Sequence, residues 1–168
     1  PILTVLCPSE RYYNNQGKAI KKLTTWANQM ISWLGRNSKD LQRPVYLAVD
    51  GSFATLELMM ISQKHEIGLI ARMKLNARLY DLPPKKYPKS KRGPKPPVGK
   101  RLLSMEKRLT DKRIKWKSVI FSEWYGNKQK KMLMTSGVTI WRKSNTMLVK
   151  VKWVLLKDPE GKLEPVLL

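Results

Sequence analysis

The apolar positions fall into two patterns along this chain. In the first half, Ile2-Leu3-Thr4-Val5-Leu6-Cys7 is a short, β-branched apolar run stopped by Pro8, which predicts a buried strand. From Lys18 to Leu34 the apolar residues Ile20, Leu23, Trp26, Ala27, Met30, Ile31 and Leu34 recur at helical spacing, with Gly35 and Asn37 as terminators. Arg43-Pro44 opens a second strand, Val45-Tyr46-Leu47-Ala48-Val49, which ends on Asp50. Gly51-Ser52 is a turn signal, and Ser52 is placed to cap a helix from Phe53 to Gln63 with Leu56, Met59 and Met60 inward. Ile67-Gly68-Leu69-Ile70-Ala71 is a third strand. Strands alternating with helices predict an α/β fold with parallel pairing, because parallel neighbours need a crossover.

After Leu82 the pattern changes. Residues 83–97 are rich in proline and lysine and nearly free of core-forming side chains, which predicts an exposed loop. A short helix is expected over Leu102 to Leu109. Three β-patterned runs follow, Lys117 to Tyr125, Lys130 to Trp141 and Leu148 to Leu156, with turns at Gly126-Asn127 and Lys143-Ser144-Asn145. They predict an antiparallel meander. Asp158-Pro159-Glu160-Gly161 makes a further turn, and Val166 starts another strand. The organisation expected is an α/β part over 1–80 and a basic loop with a β-rich part over 81–165. The apolar runs at both ends predict a piece of a longer chain, since natural termini are usually polar and frayed.

Composition adds the partner. The 168 residues are 42% hydrophobic, enough for a core, but 34 Lys and Arg stand against 12 Asp and Glu, a net charge of +22. A domain this positive repels itself and attracts polyanions, with nucleic acid the commonest in a cell. An anionic membrane surface is the rival, but no basic amphipathic helix with a clean apolar face stands out. No run approaches the roughly 20 apolar residues that span a bilayer. The single Cys7 cannot form an internal disulfide or a thiolate metal cage, and it agrees with a reducing, cytoplasmic setting.

Asp50 is the first candidate for chemistry. It ends an apolar strand and precedes a turn, and in open α/β sheets ligands gather outside the carboxyl ends of strands. A carboxylate there suits Mg²⁺, a hard cation that takes oxygen ligands. The plainer alternative is an Asp that caps the following turn. Glu57, two helical turns on, reads as a solvated helix carboxylate, and Asp81, Glu123 and Asp158 have no metal-ligand spacing. His65, the sole histidine, reads as a surface residue in a turn, since histidine metal sites need further ligands. Lys85, Lys86, Lys89, Lys91, Arg92, Lys95, Lys100 and Arg101 are the DNA-binding candidates: an extended, proline-stiffened basic segment can follow a phosphate backbone. Trp116, Trp124, Tyr125, Trp141 and Trp153 alternate with cations in the β-region; sheet packing is the reading for them, base stacking the alternative.

Several blocks resemble one family in collinear order. Val45-Tyr46-Leu47-Ala48-Val49-Asp50-Gly51-Ser52-Phe53-Ala54, with Glu57-Leu58 and Ile70-Ala71-Arg72, is similar to the second-aspartate block of bacterial insertion-sequence transposases of the DDE superfamily. Cys7-Pro8-Ser9-Glu10-Arg11-Tyr12, Ala77-Arg78-Leu79-Tyr80, Arg92-Gly93-Pro94-Lys95 and Trp153-Val154-Leu155-Leu156-Lys157-Asp158-Pro159-Glu160-Gly161 match in the same order. The resemblance implies an RNase H-like catalytic core with a β-rich insertion after the third strand of this segment. It implies metal-dependent DNA cleavage and strand transfer by three carboxylates holding Mg²⁺ or Mn²⁺. Asp50 matches the middle carboxylate; the first Asp and the Glu would lie outside these residues, so this piece alone would be inactive. DNA is the implied partner, at transposon ends and target, with a homo-oligomer allowed in a transposition complex and a cytoplasmic, nucleoid-associated location. The alternatives are a non-catalytic DNA-binding remnant of such an enzyme, or an unrelated basic nucleic-acid-binding module.

Overall fold

The computed structural model describes residues 7–86, 93–124, 129–144 and 147–168. The expected strand at the start falls, apart from Cys7, outside them, as do Tyr125, the Gly126-Asn127 turn and Asn145. The fold is mixed α/β, and the chain divides into two compact units, Pro1–Ala71 and Arg72–Leu168.

The first unit opens with α1 (Glu10–Asn15), a short helix that the apolar pattern does not announce; the Ser9 hydroxyl caps it by accepting from the Tyr12 N–H at 3.3 Å. The next helix, α2 (Leu23–Asn37), starts five residues later than the periodicity predicts. Lys18, Lys21 and Lys22 crowd its amino end, where the helix dipole disfavours positive charge, and Lys22 offers no side-chain cap. Gly35 does not terminate α2. It lies inside the helix, where a Cβ would overlap the His65 side chain, so the close approach requires glycine. His65 is accordingly half-buried against α2 rather than a surface residue.

Strand β1 (Val45–Val49) leads through a turn into α3 (Leu56–Lys64) and back to β2 (Ile67–Ala71), and the two strands pair in parallel, Val45 opposite Ile67 through Val49 opposite Ala71. This is the strand–helix–strand crossover expected from the alternation. The start of α3 differs from expectation. Residues Gly51–Phe53 form a single 3-10 turn, and α3 is capped by Thr55, whose hydroxyl accepts from the Leu58 N–H at 3.2 Å, not by Ser52. Helical spacing counted from Thr55 turns Leu58 inward (1% exposed) and leaves Met60 outward (38%). The core joins Ile31, Leu58 and Ile67, with Ala27, Leu34, Leu47 and Leu69 packed against them. Tyr46, Ala48 and Ile70 occupy the opposite sheet face and are exposed.

The second unit is an antiparallel sheet. Strand β3 (Leu79–Tyr80), too short to show a period, pairs with the long β5 (Lys130–Arg142), which also takes β4 (Lys117–Phe121) and β6 (Leu148–Lys157). Strand β7 (Val166–Leu167) closes the far side on β6. Leu79 and Tyr80, the last residues of the segment assigned to the α/β part, are thus hydrogen-bonded into this sheet. The expected short helix is α4 (Met105–Thr110), capped by Ser104. The meander is antiparallel, as the alternation predicts. The β5–β6 register runs without a bulge from Leu133 opposite Lys157 to Arg142 opposite Leu148, so residues facing each other share a sheet face.

One sheet face buries Thr139, Val149, Val151, Trp153 and Leu155. Gly137 stands opposite Trp153, and a Cβ at Gly137 would meet the indole at 2.8 Å, so only glycine lets the ring lie flat across β5. The Arg108 guanidinium covers the indole, 5.3 Å from its centroid. On the other face a smaller cluster joins Met132, Leu156 and Val166 with Phe121 and Trp124, whose rings are 5.0 Å apart. Trp153 and Trp124 are therefore packing residues. Below them, Asp158 organises the predicted turn: its carboxylate accepts from the N–H groups of Glu160 (3.1 Å) and Leu163 (3.2 Å) and pairs with Lys130 at 3.1 Å. Burial pushes its carboxyl up, but these hydrogen bonds and the Lys130 ammonium outweigh burial and hold it below the ordinary carboxylate range.

Candidate functional site

Asp50 leaves β1 at its carboxyl end and is exposed. Its Oδ1 accepts from the Ser52 N–H at 2.8 Å, which closes the 3-10 turn. The Ser52 backbone N–H, then its hydroxyl, hold the Asp50 carboxyl below its usual value, so it is ionised at neutral pH. The capping reading of Asp50 is thus realised in the local geometry. Glu57 is exposed on α3, as a solvated helix carboxylate would be. Among the described residues no three His, Cys, Asp or Glu side chains cluster closely enough to hold a metal ion. One carboxylate oxygen does not make a Mg²⁺ site, which needs near-octahedral oxygen coordination. A depression of about 600 Å³ in this unit lies at the amino end of the strands, lined by Gly35, Lys39, Arg43, Lys64 and His65, so Asp50 does not line it.

The basic loop is held at its base. The Asp81 N–H donates to the Lys100 carbonyl at 2.8 Å, the Gly99 N–H to the Asp81 carbonyl at 2.8 Å, and the Leu102 N–H to the Leu79 carbonyl at 2.9 Å. Residues 99–102 therefore return alongside 79–81, with Val98 buried at the foot. Lys85, Lys86, Lys95, Lys100 and Arg101 are exposed; Lys89, Lys91 and Arg92 lie outside the described residues. The Lys95 ammonium reaches the Lys85 carbonyl at 3.5 Å. Limited trypsin digestion of the chain is expected to cut first between Lys85 and Lys95, with Lys100 and Arg101 cut later because their backbone is paired. Mapping the first fragments by mass checks this, and initial cleavage at Lys100 would mean that the paired base opens.

The register also assembles cations that sequence spacing had not brought together. Tyr80 faces Ile140, which faces Lys150, and Arg101 bridges to Tyr80 from the other side, so Arg101, Tyr80, Ile140 and Lys150 form one row across the sheet. Val138 and Lys152 form the neighbouring row. Arg142, on the same face of β5, places its guanidinium 5.8 Å from the centre of the Tyr80 ring. Neither β5 nor β6 contains an Asp or Glu. Elsewhere on these strands Lys131 is exposed, Lys130 pairs with Asp158, and Lys157 donates to the Leu109 carbonyl at 3.3 Å while lying 4.2 Å from the Trp116 ring centre. The alternation Lys150-Val151-Lys152-Trp153 was a signal that both lysines share the face opposite the core, but their meeting with Tyr80 and Arg101 depends on pairings far apart in sequence.

No family model, curated protein or solved structure matches this chain. No helix among the described residues is long and apolar enough to cross a membrane.

Proposed function

We propose that this chain binds DNA as part of a DDE-type transposase with an RNase H-like core, in which Asp50 is one carboxylate of the catalytic set. The observation that carries the reading is an exposed, ionised carboxylate at the carboxyl end of a parallel strand, within the block that resembles the family's second aspartate, in a chain of net charge +22. The carboxyl end of such a strand is where this class of sheet presents ligand-binding side chains, and the charge supplies the attraction for a polyanion. Magnesium or manganese would need oxygen ligands besides Asp50 from outside the described residues, so no catalytic step is assigned to these residues alone.

The test is Asp50→Ala in the protein that carries this chain. Cleavage of DNA bearing the element's ends in Mg²⁺ should fall by about 10³-fold or more, as expected when a metal ligand is lost. DNA affinity should stay within about 2-fold, because one exposed carboxylate adds little to a surface this basic. Cleavage at the unaltered rate would end the catalytic reading of Asp50. A second reading, DNA binding without catalysis, is favoured by the lack of a carboxylate cluster among the described residues; it predicts no Mg²⁺-dependent cleavage by the unaltered protein.

A further inference from the structure

We infer that one end of the sheet face opposite Trp153, carrying Tyr80, Arg101, Val138, Arg142, Lys150 and Lys152, is a binding surface for single-stranded DNA. The inference rests on the polyanion reading above and names the surface and the form of the nucleic acid.

Three observations carry it. First, the charge is one-signed: four cations share this part of the face, and the two long strands that build it hold no acid. Lys150, Lys152 and Arg101 are exposed. Strands lie about 4.8 Å apart and alternate residues about 7 Å apart, so the cations frame a patch of roughly 14 by 7 Å, on the scale of successive phosphates. Second, the middle of the patch is apolar, with Ile140 buried between Tyr80 and Lys150. Val138 is 45% exposed opposite Lys152, and the centre of the half-buried Tyr80 ring lies 5.8 Å from the Arg142 guanidinium. Flat π and guanidinium surfaces between cations suit bases on a flexible strand, whose faces are open to stacking. Third, the sheet is too broad for a duplex groove. The major groove admits a helix or a two-stranded ribbon, whereas β5 is flanked by β3 or β4 on one side and by β6 on the other. A duplex would meet this face only through its phosphates and leave Val138 uncovered.

The base of the basic loop adjoins this face, because Arg101 bridges to Tyr80 and Lys100 pairs with Asp81. A strand lying on the sheet would run from the lysines of β6 toward Arg101.

Fluorescence anisotropy on the 168-residue chain tests this, with a labelled oligothymidylate of about 16 nucleotides, a blunt duplex of equal length and an abasic oligonucleotide with the same phosphates. Lys150→Glu with Lys152→Glu should weaken oligothymidylate binding by about 10-fold or more, while the control Lys18→Glu with Lys22→Glu, an equal charge change in the first unit, should weaken it by no more than about 3-fold. The milder Lys150→Gln with Lys152→Gln, which keeps strand-compatible side chains, should lower the salt slope by about 1.4, or about 0.7 per lost phosphate contact. The abasic oligonucleotide should bind about 10-fold more weakly than oligothymidylate, the equivalent of one stacked base. Equal effects of the face and control pairs would overturn the assignment of the face while leaving DNA binding intact. Tighter binding of the duplex, or equal binding of the abasic strand, would overturn the single-strand part. Binding to none of the three probes would sink the polyanion reading itself.

Discussion

Raising the salt concentration from 50 to 200 mM is expected to weaken binding of a single strand about 10³-fold, and of a duplex by about 10³–10⁵-fold for ~6–10 phosphate contacts. The cause is counterion release. A phosphate neutralised by Lys or Arg sheds its condensed cation, and that entropy gain shrinks as bulk salt rises, giving a log–log slope near −0.7 per contact on a single strand. Lys85, Lys86, Lys95, Lys100, Arg101, Arg142, Lys150 and Lys152 all belong to the loop or the sheet face contiguous with it. If each meets one phosphate, about eight contacts give a slope near −5.6, or roughly three decades over this salt interval. Anisotropy titrations at several salt concentrations read the slope directly. A flat profile would exclude phosphate contact as the source of affinity and point to an uncharged or apolar partner.

Trp153→Ala is expected to lower the stability of the sheet unit by about 3–5 kcal/mol, the usual cost of emptying a buried aromatic site. Trp153 is 3% exposed, lies flat over Gly137 and is covered by Arg108. Its removal uncovers both a cavity and a guanidinium that had an aromatic partner. Trp153→Phe should cost less, about 1–2 kcal/mol, since an aromatic ring is kept and the cavity left behind is smaller. The indole Nε1–H meets no acceptor among the described residues, so the loss of that donor carries no hydrogen-bond penalty. Urea unfolding followed by far-UV circular dichroism compares the three proteins. A Trp153→Ala change below about 1 kcal/mol would show that the indole is not the anchor of this face.

Legibility of the fold in the sequence followed the length and regularity of each pattern. Val45–Val49, Ile67–Ala71, Lys130–Arg142 and Leu148–Lys157 are strands where apolar or alternating runs predict them, within a residue. Local competition decided the misses. Asp50 and Thr55 are both cap residues flanking Ser52, and each takes a backbone N–H that the assignment to Ser52 had overlooked. A lysine cluster delayed α2, and a glycine that reads as a stop instead admits His65. Strand β3 has two residues and therefore no period to detect. For the candidate site, Asp50 and the loop cations were legible because each is a local signal. Tyr80, Arg142, Lys150 and Lys152 were not, because a face exists only once the register between distant strands is known.

The hydrogen bonds that tie Asp81 to Gly99 and Lys100 separate the fate of the sheet from the length of chain between them. With the ends already pinned, doubling the excursion adds only about 0.6 kcal/mol of closure entropy. Foreign sequence, such as an epitope, a fluorophore acceptor peptide or a second module, can therefore be spliced in near Lys86 without unmaking the strands on either side. This makes the loop the place where the chain can be lengthened at little cost to the sheet.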